Sequence, residues 1–76
     1  MQIYDGQQYE DGEVLPDLGS LICINQTGNK REYRGLSADF DKLPKYKDLG
    51  TGSSCIFYDT GEYAEYFAYN QTWYKL

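Results

Sequence analysis

The tripeptide Asp59-Thr60-Gly61 is the spelling in this chain that most invites a chemical reading. Aspartic proteases carry it twice, as two carboxylates that share one proton. The rest of the sequence does not support that use. The chain is short for even a dimeric protease of that class and has no convincing glycine-rich flap, and a hairpin turn is needed at this point, for which Asp and Gly are suited. Histidine is absent, which removes Ser-His-Asp triads, Cys-His pairs and zinc-hydrolase sites. Asp39 and Asp41 imitate the opening of a calcium loop, yet the glycine and the distal glutamate that complete one are missing at the required offsets. Glu62 and Glu65 would serve as a glycosidase pair only on a shared face, and their odd spacing sends them to opposite faces of a strand. Gly50-Thr51-Gly52 lacks the third glycine and the following helix of a phosphate loop.

The same test empties the cysteine and sequon positions of chemistry. Cys23 and Cys55 are far apart with no C-x-x-C spacing, so a zinc or redox motif is a poor reading and two buried free thiols are expected; a disulfide would require an oxidising setting. Asn25-Gln26-Thr27 and Asn70-Gln71-Thr72 have the spelling of glycosylation sites, but with no signal peptide evident the asparagines read better as hairpin residues. The chain is therefore expected to be no enzyme, with no catalytic, cofactor-binding or metal-ligating residues.

What remains is contact chemistry. The formal net charge is -5, which argues against nucleic acid as a partner, because phosphate affinity is supplied mainly by Lys and Arg. Asp5, Glu10, Asp11, Glu13 and Asp17 precede any base, whereas Lys30, Arg31, Arg34, Lys42, Lys45 and Lys47 crowd the middle. Such an acidic arm and basic belt would pair between neighbouring subunits, or simply form a solvated surface. Nine tyrosines supply large rigid contact area at small entropic cost, and Tyr58, Tyr63, Tyr66, Tyr69 and Tyr74 crowd the C-terminal part beyond what a small core holds. The competing account is that they form cross-strand pairs stabilising the sheet. Candidate protein-contact residues are Tyr4, Tyr9, Glu10, Asp11, Glu13, Tyr63, Tyr66 and Tyr69.

The elements that position these residues are expected to be all-β: a small antiparallel sheet or partly open barrel, with a C-terminal three-strand meander and at most one short helical turn. Aromatic residues set among glycine-containing turns favour strands. A chain of 76 residues is one domain, spanning 1–76, and buries only about 60% of the surface its unfolded form exposes. Residues 1–19 form either an extended acidic arm or a short hairpin, with Met1 to Tyr4 and Gln7 to Glu10 flanking Asp5-Gly6. Leu21 to Asn25 reads as a buried strand, turning at Thr27-Gly28-Asn29 into Lys30 to Leu36, with Arg31, Tyr33 and Gly35 on one face. Ser37 to Leu43 carries the helical turn, capped by Ser37 and stopped by Pro44. Lys45 to Ser54 is a loop. Ser54 to Tyr58, Glu62 to Tyr69 and Thr72 to Leu76 make the meander, whose last strand is expected to be buried. The expected core includes Ile22, Ile24, Ile56, Phe57, Phe67 and Trp73. So small a core would gain from oligomerisation. No apolar stretch approaches the roughly 20 residues that span a bilayer, no signal peptide is evident, and synthesis and folding in the cytoplasm are expected.

From about Leu43 to Leu76, a little under half of the chain, the sequence resembles the C-terminal segment of small virion-associated proteins (head fibre or minor structural) of tailed phages that infect Gram-positive bacteria. The shared pattern is Leu43-Pro44, Gly52-Ser53-Ser54, Asp59-Thr60-Gly61-Glu62, an aromatic strand through Tyr63 and Phe67, and a terminal Trp73-Tyr74-Lys75-Leu76. The resemblance implies a non-catalytic structural component of a bacteriophage particle, present in repeated copies and contacting other virion proteins of the capsid, neck or tail. Two other readings stand beside it: an acidic inhibitor of a host defence or nucleic-acid enzyme, and a carbohydrate-binding module that stacks tyrosines on sugars.

Overall fold

The computed structural model describes all 76 residues. Strands β1 (Gln2–Tyr4) and β2 (Gln7–Tyr9) form an antiparallel hairpin by themselves, with Tyr4 opposite Gln7. Asp5 and Gly6 link them at φ 52° and 75°. Two consecutive left-handed residues match the twist of the flanking strands, and Asp-Gly accepts that conformation most cheaply. The hairpin takes up residues 2–9 of the segment 1–19.

The remaining strands make one five-stranded sheet in sequence order: β3 (Ile22–Thr27), β4 (Lys30–Gly35), β5 (Ser54–Phe57), β6 (Tyr63–Phe67) and β7 (Thr72–Lys75). The all-β class, the short helical turn and the C-terminal meander are as the sequence predicts. Gly28 and Asn29 close the β3–β4 hairpin, Gly28 taking φ 61°. The β5–β6 turn runs through Asp59-Thr60-Gly61, with the Gly61 amide donating to the Phe57 carbonyl at 2.7 Å. A 3₁₀ helix covers Ser37–Lys42 and ends before Pro44. Ser37 does not cap it; Leu36 holds that position, and the Ser37 hydroxyl turns to Asp59 instead.

One pairing departs from the antiparallel expectation. β4 and β5 run parallel, Tyr33 opposite Cys55. The chain between them is long enough for the crossover that a parallel pair requires, whereas two-residue turns join only antiparallel neighbours. That crossover lies over one face of the sheet, fastened by the Trp73 indole N–H donating to the Pro44 carbonyl at 2.8 Å and by the Gly50 amide donating to the Asn29 carbonyl at 2.6 Å.

The core fills the space between this face and its cover: Leu18, Leu21, Tyr33, Leu43, Leu49, Cys55, Phe57, Ala64, Tyr66 and Trp73. Phe57 and Trp73 were expected there. Ile22, Ile24 and Phe67 were too, and they are exposed. The segment read as a buried strand from Leu21 to Asn25 is in fact the edge strand β3, with Ile22 58% and Ile24 48% exposed, and only Leu21, just before it, enters the core. β7 is likewise an edge strand that buries Trp73 alone. Both errors have one cause: a single core layer covers only one face, so alternate residues on every strand point away from it.

Candidate protein-contact surface

The N-terminal hairpin is held on the covered face by a buried polar node. The Arg31 and Asp5 side chains are 4% and 8% exposed and meet at 3.1 Å. One Asp5 carboxylate oxygen also accepts from the Tyr33 hydroxyl at 2.7 Å and the Tyr46 hydroxyl at 2.9 Å. Arg31 donates to the Asp5 carbonyl as well, and its guanidinium lies 5.1 Å from the centre of the Tyr46 ring. Burial, and then the hydrogen bond to Asp5, push the Tyr33 and Tyr46 phenols well above the usual tyrosine range, so both remain donors. For Arg31 burial opposes the charge, but its contacts with Tyr33 and Asp5 outweigh it and raise the pKa. The node is a structural clamp.

Part of the acidic arm and basic belt is engaged within the chain. Two of the acids pair with bases of the same chain: Asp5 with Arg31, and Asp17 with Lys42 at 3.3 Å. Two of the carboxylates tested for chemistry, Asp39 and Asp59, are also committed. Asp39 accepts from the Ser20 hydroxyl at 2.6 Å and amide at 2.9 Å and lies 3.3 Å from Lys42; the Ser20 contacts hold its pKa below the carboxylate range. Asp59 accepts from the Ser37 amide and hydroxyl at 2.9 and 2.7 Å, which lower its pKa in the same way. Nowhere do three or more His, Cys, Asp or Glu side chains converge as a metal cage.

Cys23 and Cys55 are free, and the register explains why they stay so. Both pair with Tyr33, from opposite sides, which sets them two strand spacings apart, about 9.6 Å. That exceeds the roughly 7 Å within which Cα atoms can be bridged. Burial pushes the Cys55 thiol up to about 11, leaving little thiolate near neutrality.

The second face of the sheet has no cover. Two rows of side chains cross it, set by the register. The first holds Ile22, Arg34, Ile56 and Tyr63; the second holds Asn25, Glu32, Ser54, Glu65 and Tyr74. Ile24 sits at a bulge in β3, and Phe67 lies beyond the second row. Ile22, Ile24, Phe67 and Tyr74 all rank as exposed large hydrophobics, and the Tyr63 hydroxyl donates to Glu65 at 2.9 Å.

The predicted contact residues therefore divide. Tyr63 belongs to the open face, and Tyr69, 88% exposed, caps its β6–β7 end with its ring 5.8 Å from Phe67. Tyr66 lies in the core instead: it is 2% exposed, packed 5.2 Å from Trp73, because residues 64 and 66 of β6 point inward while 63, 65 and 67 point outward. Tyr4 and Tyr9 are half-buried on the hairpin, Tyr4 against the core. Glu10, Asp11 and Glu13 are exposed around an open hollow of about 530 Å³ that Met1, Gln8 and Tyr9 complete. The hairpin lies on the covered side, so this acidic group and the open-face tyrosines are not brought together. Ile22, Ile24 and Phe67, placed in the core by the sequence reading, lie on the surface instead, and Ile56 is half-buried. The available signal was parity: once Cys55 and Phe57 face inward, Ile56 must face outward. Comparison with protein-family models, with curated proteins and with solved structures finds no match, so this surface is read from the chain's own geometry.

Proposed function

We propose that the protein is a non-catalytic structural module of a bacteriophage particle that binds another virion protein through the open face of its five-stranded sheet. One observation carries the contact surface: an uncovered sheet face on which Ile22, Ile24, Phe67 and Tyr74 are all exposed. Ile22 and Ile24 lie on the edge strand β3 and Phe67 and Tyr74 on β6 and β7 towards the other edge, with Arg34, Glu32 and Glu65 between them, so the face offers apolar side chains on both sides of a charged centre, and the edge tyrosine adds rigid contact area. The particle as the setting rests on the resemblance of residues 43–76. In this reading the protein is made in the host cytoplasm, assembles into the virion and contacts capsid, neck or tail proteins, without nucleic acid or membrane as a partner.

The test is quantitative mass spectrometry of gradient-purified particles, from phage carrying the wild-type protein and from phage carrying Ile22→Ser with Phe67→Ser. The wild type is expected in many copies per particle, and the variant, still folded by circular dichroism, is expected to fall about tenfold or more, as losing two well-packed apolar anchors does to an interface. Absence of the wild type from particles would overturn the setting. Incorporation of the folded variant at the wild-type copy number would overturn the surface.

A further inference from the structure

The open face has features of a surface that fits itself. Arg34 and Glu32 lie in adjacent rows on the central part of that face, and neither takes part in an ion pair within the chain. Arg34 donates only to the Tyr33 carbonyl, at 2.9 Å. Consider a two-fold axis lying in the plane of the face, across the strands and midway between the two rows. Rotation about it exchanges the rows while keeping each strand opposite its own counterpart. Arg34 then stands over Glu32 of the second copy, and Glu32 over its Arg34, so that a single symmetry operation makes two ion pairs. The same rotation sets Ile56 over the small Ser54 of the second copy and Ile22 over its Asn25. At Ile56 a large side chain meets a small one, as interdigitating sheets packed about 10 Å apart favour, and Tyr63 comes over Glu65 of the second copy.

We propose that the open face is an isologous interface with a second copy of this chain, aligned by reciprocal Arg34–Glu32 pairs. This rests on the reading of that face as a protein-contact surface and names its partner. The dimer is weak by construction. Five strands about 4.8 Å apart, with roughly five residues each rising about 3.4 Å, outline a face of roughly 24 by 17 Å, which is small beside the about 800 Å² per partner of a standard interface. Association is therefore concentration-dependent, suited to a subunit that gathers in repeated copies.

Sedimentation equilibrium of the full chain tests this, using the wild type, Arg34→Glu, Glu32→Arg and the double exchange, each checked for folding by a thermal melt. The wild type is expected to show a reversible monomer–dimer equilibrium. Each single reversal sets like charges together and should raise the dissociation constant about tenfold or more, and the double exchange, which restores opposite charges across the axis, should return it to within a few-fold of the wild type. A wild type that remains monomeric at every concentration would overturn self-association, and would leave the open face standing as a contact for another virion protein, because particle incorporation is read separately. A dimer indifferent to the single reversals would also overturn the proposal and move the interface elsewhere, the free edge of β7 being the next strand able to pair. A double exchange as weak as the singles would overturn the register.

Discussion

A buried aspartate in contact with three donors is exposed to failure if any one partner is lost. Asp5 sits at the tip of the first hairpin, yet its carboxylate meets Arg31, Tyr33 and Tyr46, groups drawn from a central strand and from the crossover loop. Replacing it by Asn or Ala removes the only carboxylate in contact with Arg31 and leaves a buried guanidinium without its counter-charge, which costs about 3 to 5 kcal/mol when one partner of a buried pair is deleted. Asp5→Asn is therefore expected to lower the urea midpoint sharply, or to unfold a domain this small outright, and urea titration followed by tyrosine and tryptophan fluorescence would measure it. Little of this was legible in the sequence. The alternation of Arg31, Tyr33 and Gly35 onto one face was, because strand periodicity is local. That this face is the covered one, and that a turn residue from the far end of the chain supplies the counter-charge, depends on how the hairpin docks, which no local spacing encodes.

At the scale of elements, turn chemistry carried most of what could be foreseen. Asp5-Gly6, Gly28-Asn29 and Asp59-Thr60-Gly61 each lie in or between paired strands as their φ preferences require. Gly35 is different, since its role comes from packing. A Cβ added there would lie 2.7 Å from Leu21 Cδ2 and 3.1 Å from Leu21 Cα, so β4 can lie against the entry to β3 only without a side chain at this position. Gly35→Ala forces the Leu21 backbone away and is expected to cost about 1 to 3 kcal/mol, the range for overpacking a filled core; a lowered thermal midpoint with unchanged strand content by circular dichroism would show it. The parallel join of β4 to β5 was not foreseen. The loop composition of residues 45–53 fits either topology, and the choice falls to contacts such as the Trp73 indole on the Pro44 carbonyl, between residues remote in the chain.

For the whole molecule, the committed side chains set a window of pH. Asp17, Asp39 and Asp59 have lowered pKa values in the folded state, Asp17 through the Gly19 amide and Lys42, the other two through Ser20 and Ser37. Their contribution is present above the unfolded carboxylate value of about 3.9 and is lost as pH falls through the lower folded values. Tyr33 and Tyr46 are shifted the other way, so their contribution is complete below the unfolded tyrosine value of about 10 and is lost as pH rises beyond it. The thermal midpoint, followed by calorimetry across pH, is expected to hold a plateau between these limits and fall on both sides, and Asp39→Asn should flatten part of the acid limb while leaving the alkaline one intact. The sequence by itself determined the all-β class, the principal turns and the C-terminal meander, because φ preferences and aromatic strand patterns act over a few residues. Only the tertiary structure decided which face of each strand is covered. That choice places Ile22, Ile24 and Phe67 outside and Tyr66 inside, and the fold pairs Asp5 and Asp17 of the acidic arm with the chain's own Arg31 and Lys42. The physical reason is that a strand offers two alternating faces of similar composition here, and the docking of a hairpin and a crossover on one of them, through long-range contacts, breaks the tie.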